Sequence, residues 1–144
     1  MIYADTSCLL KVFRPEDLSE EVWQAIGTED TVVVSALTEL ETVVQLKAAW
    51  TGGILTRPEW RQAEARFGIL RNQPPFEFRK LSGALFQTAL RQHRSSGHKH
   101  CRSLDRLHLA AMEEFKVSRL MTHDDGQAEA AREAGFEVIR PGRD

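Results

Sequence analysis

Short β-branched or apolar runs, each joined to a helical pattern, fill both ends of the chain and leave few folds open to it. Met1–Ala4 reads as a short buried strand, and Thr31–Val34 (TVVV) is too short and too stiff at χ1 to be anything but a strand. Val117–Met121 and Phe136–Ile139 are strand-like as well. The helical patterns lie between them. Thr6–Phe13 is apolar at Cys8, Leu9, Val12 and Phe13. Leu18–Ile26 places Leu18, Val22, Trp23 and Ile26 on one face and is closed by Gly27. The helix after Thr31–Val34 has Ser35 or Thr38 as its cap, Thr38–Glu41 fits the spacing of a capping box, and Gly52-Gly53 ends it. Arg57–His93 reads as two helices, with Pro58 in a first turn and Pro74-Pro75 separating the pair. Ser103–Phe115 is apolar at Leu104, Leu107, Ala111 and Phe115, and Gly126–Ala134 has Gly135 past its end. Strands that alternate with helices predict a parallel sheet with crossover helices, hence an α/β fold. No repeat, linker or low-complexity tract interrupts 1–144, so one domain is expected.

Composition narrows the classes further. A chain of 144 residues can bury a real core, and its 42% apolar and 28% charged residues exclude disordered and fibrous classes. No apolar run is long enough to span a membrane, and no basic region precedes an apolar core at the N-terminus. A cytoplasmic protein with no membrane partner is the expectation. Cys8 and Cys101 lack C-x-x-C spacing and read as reduced, inert thiols.

Function enters through four acids. Ligands of parallel sheets bind outside the carboxyl ends of the strands. Asp5 follows the first strand, and Asp124 follows Val117–Met121 by a few residues. Glu41 lies early in the helix after the second strand, and Asp105 near the start of its helix, placed to face inward. Any single acid near a helix N-terminus is favoured by the macrodipole whatever the protein does. Four on one sheet edge would repel one another unless cations compensate. Carboxylates without a Cys or His cage suit a hard divalent ion such as Mg²⁺ or Mn²⁺, which also binds phosphate oxygens.

Four blocks, IYADTSCLLK, VVVSALTELE, RSLDRLHLAA and LMTHDDGQAEAAREAGFEVI, carry a resemblance that covers nearly the whole chain. It resembles the PIN domain nucleases, and among them the VapC-type toxins of prokaryotic toxin–antitoxin pairs. The resemblance implies a PIN-like three-layer fold, a parallel sheet flanked by helices, and a divalent-metal-dependent ribonuclease site formed by four acids. Matched block by block, these fall on Asp5, Glu41, Asp105 and Asp124, with Mg²⁺ or Mn²⁺ between them. It also implies an antitoxin partner, whose C-terminal segment covers the groove, and a homodimer formed through helices.

Two of the acids have rivals. The family's glutamate most often comes six residues after the serine, which selects Glu41 over Glu39; at about 100° per residue, only one of these can face the site. The family's last acid comes two after the threonine, which selects Asp124 over Asp125. Asp125 then caps the helix from Gly126 or serves as an outer ligand. Thr6 or Ser7 is placed to hydrogen-bond the scissile phosphate or a coordinated water, and Thr122 to orient Asp124. Simple helix capping competes with each of these roles.

The chain sums to −2, but setting the four acids aside leaves 17 acids against 19 Lys and Arg. Arg91–Arg106 is basic, with Asp105 its single acid, and leads straight into the site. Arg94, Lys99, Arg102 and Arg106 are candidates for RNA phosphates, against the alternative of a solvated loop. His98, His100 and Cys101 match no common zinc finger. His108 falls on the inner stripe as a core residue, and Trp23, Trp50 and Trp60 read as packing or interface residues. An aspartate-nucleophile phosphatase would need an acid where Ser7 stands, and a receiver domain an acidic pair after the first strand. A catalytically inactive PIN-like module, binding RNA or protein, is the stronger alternative.

Overall fold

A computed structural model describes residues 1–143. The chain runs β1 (Ile2–Ala4), α1 (Thr6–Phe13), α2 (Ser19–Gly27), β2 (Val32–Ser35), α3 (Ala36–Thr51) and α4 (Arg57–Leu70). It continues through β3 (Phe76–Arg79), α5 (Leu85–Ser95), α6 (Ser103–Phe115), β4 (Arg119–Met121), α7 (Asp125–Glu133) and β5 (Glu137–Ile139). The five strands form one sheet in the order β3-β2-β1-β4-β5, and every pairing is parallel.

Side-chain alternation along these short strands divides the core in two. Ile2, Ala4, Val32, Val34 and Met121 face a layer built by α1 to α4. Tyr3, Val33 and Leu120 face the opposite layer, built by α5, α6 and α7. Both faces are thus covered, which is why the central strands carry unbroken apolar runs. The result is the expected three-layer α/β arrangement.

The expectation of two helices over Arg57–His93 is incomplete, because β3 lies between them. Phe76 and Phe78 turn toward the core formed with α4, while Glu77 is exposed. Four residues alternating on an edge strand give a weak signal, and Pro74-Pro75 just before them read as a helix break. Trp50 and Trp60 stack at 4.2 Å between centroids and 6° between planes, joining α3 to α4. No helix among the described residues is long and apolar enough to cross a membrane.

The order of the strands places the site. β1 lies in the middle; the chain leaves it toward β2 and β3, then crosses back to add β4 and β5 on its other side. A crevice opens where such a sheet reverses direction, outside the carboxyl end of the central strand. Asp5 is the first residue beyond that end.

Candidate active site

Asp5 is fixed from three sides. Its backbone N–H donates to the Met121 carbonyl at 3.0 Å, continuing the β1–β4 ladder. Its Oδ2 accepts from the hydroxyls of Ser7 (3.0 Å) and Thr122 (2.7 Å), and only 6% of the residue is exposed. Ser7 also accepts the His123 N–H at 2.9 Å, so one hydroxyl ties the start of α1 to the end of β4. Thr122 donates to Asp5 and accepts the Asp124 N–H at 3.1 Å. It therefore orients Asp5 by its side chain and Asp124 through the backbone.

Asp124 itself caps α7, its Oδ1 accepting from the Gln127 N–H at 2.7 Å. The expectation that Asp125 supplies this cap is corrected: Asp125 is the first helical residue, its side chain is 83% exposed, and it pairs with Arg140. One residue separates the two roles, since the residue with extended backbone is the one whose side chain can fold back.

Glu41 reaches the crevice because another residue caps its helix. Ser35 accepts the Thr38 N–H at 3.1 Å, while the Thr38 hydroxyl donates to the Ala4 carbonyl at 3.2 Å. Thr38 and Glu41 therefore form no capping box, and Glu41 is left to accept from the Thr6 hydroxyl at 3.0 Å. Glu39 points elsewhere and pairs with Arg71.

His108 is a site residue that sequence reasoning placed only in the core. It is buried, at 1% exposure, yet its Nε2 pairs with Glu41 and stands 3.9 Å from Asp5 Oδ1. Its Nδ1 meets the Tyr3 hydroxyl at 2.7 Å, which in turn meets Ser35 Oγ at 2.6 Å. Burial pushes the imidazole toward its neutral form, but the Glu41 hydrogen bond and the Asp5 and Glu41 charges outweigh it, so its pKa is raised. Burial likewise pushes Glu41 up, and the His108 and Thr6 contacts bring it net below its ordinary value. The available signal was spacing: His108 follows Asp105 by three, the separation that puts both on one helix face.

Asp105 faces the same crevice from the first turn of α6, its side chain 17% exposed. Asp5, Glu41, Asp105 and Asp124 all line one cavity of about 490 Å³, together with Thr6, Ser7 and Arg102. The candidate RNA-binding residues are dispersed. Arg102 lies in the cavity, while Lys99 is exposed and pairs with Glu129. Arg94 is exposed on the last turn of α5. Arg106 does not fit a role at the surface: it is 6% exposed and lines a separate cavity of about 280 Å³ between α5, α6 and α7. On α6 it sits one residue past Asp105 and so faces a different side.

The donor set is one of hard oxygens, the kind Mg²⁺ and Mn²⁺ take. As oriented, no three Asp, Glu, His or Cys side chains among the described residues converge closely enough to hold a metal. The reason is local: Glu41 is turned to His108, and Asp105 and Asp124 are turned to Arg102. The chemistry of the donors fits a divalent ion, and in these rotamers the carboxylates are paired instead with His108 and Arg102. Both cysteines are free thiols; Cys8 is buried, which pushes its thiol up to about 12.

Comparison with known proteins agrees with this architecture. The chain is 30% identical over 142 residues to Ribonuclease VapC46 of Mycobacterium tuberculosis, covering 97% of each. Its fold is similar to that of VapC20 of Mycobacterium tuberculosis, described as a sarcin-ricin loop cleaving toxin, with a TM-score of 0.74 and 18% identity over 98% of this chain and 100% of that one. A chain of a toxin-antitoxin complex from Klebsiella pneumoniae matches with a TM-score of 0.64 and 16% identity, covering 98% of each. The family model that matches is the PIN domain, over residues 2–133, and with its five parallel strands and its acids on one sheet edge the chain belongs to the PIN domain family.

Proposed function

We propose that this chain is a divalent-metal-dependent endoribonuclease, the toxin of a toxin–antitoxin pair, working as a single domain in the cytoplasm. The observation that carries this is the meeting of Asp5, Glu41, Asp105 and Asp124 in one cavity beyond β1. Its relatives' names as ribonucleases support the reaction class. The same four residues would hold Mg²⁺ or Mn²⁺. When bound, such an ion supplies Lewis acidity toward water and phosphate oxygens.

The rest is done by the chain. Ser7 and Thr122 donate to Asp5 and hold it at the crevice. Thr6 steadies Glu41, and His108 braces Glu41 from beneath while staying out of solvent. The Gln127 N–H fixes Asp124. Arg102, at the mouth, is the best-placed cation for an RNA phosphate, and Arg94 and Lys99 extend that charge outward. Arg106 is not carried into this proposal. Exposed Leu104 on the crevice wall, with exposed Phe86 and Leu90 lining a separate cavity on α5 and α6, offers apolar surface suited to an antitoxin segment or to a second copy in a homodimer.

The test is cleavage of RNA by purified, partner-free protein with Mg²⁺ or Mn²⁺, beside Asp5→Asn and EDTA controls. Discrete fragments that vanish in both controls are expected. Absence of cleavage by folded, metal-loaded protein across transfer, ribosomal and messenger RNA would leave a binding module in its place.

A further inference from the structure

The cation that faces this crevice belongs to the chain itself. Arg102 immediately precedes α6 and lies across two acids from different elements. Its Nε is 2.7 Å from Asp105 Oδ2, and its Nη2 is 3.5 Å from Asp105 Oδ1 and 3.4 Å from Asp124 Oδ2. Among the described residues it is the one Lys or Arg that pairs with either carboxylate. Its side chain is 67% exposed against 17% for Asp105, so the guanidinium covers the acids from the solvent side.

The four acids are thereby divided. Asp5 and Glu41 are satisfied from within, by hydroxyls and by His108, with partners that are buried or tied to the fold. Asp105 and Asp124 Oδ2 have as their cation a long, exposed side chain, while Asp124 Oδ1 caps α7. A guanidinium does not lose its proton, so its charge leaves this place only by rotation of the side chain. A hard cation held by Asp105 and Asp124 would draw on the same carboxylates, and it would meet a like charge if Arg102 stayed.

We propose that Arg102 is a built-in counter-cation: it holds the Asp105–Asp124 half of the crevice while metal is absent and competes with metal for those two carboxylates. This rests on the metal-dependent reading above. Removing the side chain leaves two carboxylates facing one another without compensation, which lowers the stability of the metal-free form and raises metal affinity by the same linkage. Exposed ion pairs are weak, so two such contacts set the gain at about threefold to tenfold.

The experiment is calorimetric titration of Mn²⁺ into metal-stripped wild type, Arg102→Ala and Arg102→Lys at low ionic strength, with melting curves of the same samples in EDTA. Arg102→Ala is expected to bind Mn²⁺ about threefold to tenfold more tightly than wild type and to melt lower in EDTA. Arg102→Lys, which keeps the charge but not the fork, should fall between them. Equal or weaker Mn²⁺ binding by Arg102→Ala overturns the competition while leaving the metal site standing. No binding by any of the three overturns both.

Discussion

Replacing Tyr3 by Phe removes one oxygen from the centre of the buried network and tests whether that network supports the crevice. Tyr3 is fully buried, and its hydroxyl meets Ser35 Oγ at 2.6 Å, His108 Nδ1 at 2.7 Å and Thr38 Oγ1 at 3.3 Å. Ser35 and Thr38 retain one another and the Ala4 carbonyl after the change. His108 Nδ1 has no such substitute. The cost is therefore that of one buried polar atom left unpaired, about 1–3 kcal/mol. For a chain of this length 1 kcal/mol corresponds to about 3 °C in Tm, so Tyr3→Phe should melt about 3–10 °C below wild type. The ring remains, so packing against α6 is retained. Thermal melts of wild type, Tyr3→Phe, His108→Gln and the double variant give a cycle, and a coupling of about 0.5–3 kcal/mol is expected because the two groups touch. A melting temperature unchanged by Tyr3→Phe, or strict additivity in the cycle, would refute the claim that Tyr3 steadies His108.

Other outcomes follow from the same contacts. Glu41→Gln should abolish Mn²⁺ binding and metal-dependent cleavage. Glu39→Gln, which breaks only the exposed pair with Arg71, should leave both intact and change stability by less than about 0.5 kcal/mol, as calorimetry and melting will report. In EDTA, stability should be highest where His108 and Glu41 are both ionised. The raised His108 pKa contributes stability present below 6.5 and lost as pH rises through its higher folded value. The lowered Glu41 pKa contributes stability present above 4.5 and lost as pH falls through its folded value. Melting temperature against pH should thus peak across this window in wild type and lose its alkaline fall in His108→Gln. Trp60→Ala removes a stacked, buried indole and should cost about 3–5 kcal/mol, read as a fall in denaturant midpoint without loss of Mn²⁺ affinity.

Much of this molecule was legible in the sequence because its central strands are covered on both faces. Met1–Ala4 and Thr31–Val34 read as strands because their runs are apolar or β-branched, and Asp5 stood out as the first acid beyond the central strand. β3 escaped for the opposite reason: as an edge strand it presents Glu77 to solvent and keeps only two apolar residues. Glu41 and Asp124 line the crevice while Glu39 and Asp125 pair with Arg71 and Arg140, and at Asp124 one carboxylate oxygen caps the helix while the other meets Arg102. His108 is buried as its place on the inner stripe implied, but neither its pairing with Glu41 nor the burial of Arg106 could be read from spacing. Periodicity says which way a side chain leaves its helix; it does not say what waits there, a carboxylate for the histidine and a buried wall for the arginine.

The strand order also has a consequence for when this crevice can exist. Asp5 and Glu41 leave the ribosome early, but the neighbour that completes β1's other side is β4, more than a hundred residues later. Until then the central strand is an unfinished edge, Asp5 lacks the Thr122 hydroxyl, and half of the acids have not been made. A nascent chain therefore has no complete crevice, and the four acids come to share one cavity only when the strand that closes the sheet is inserted.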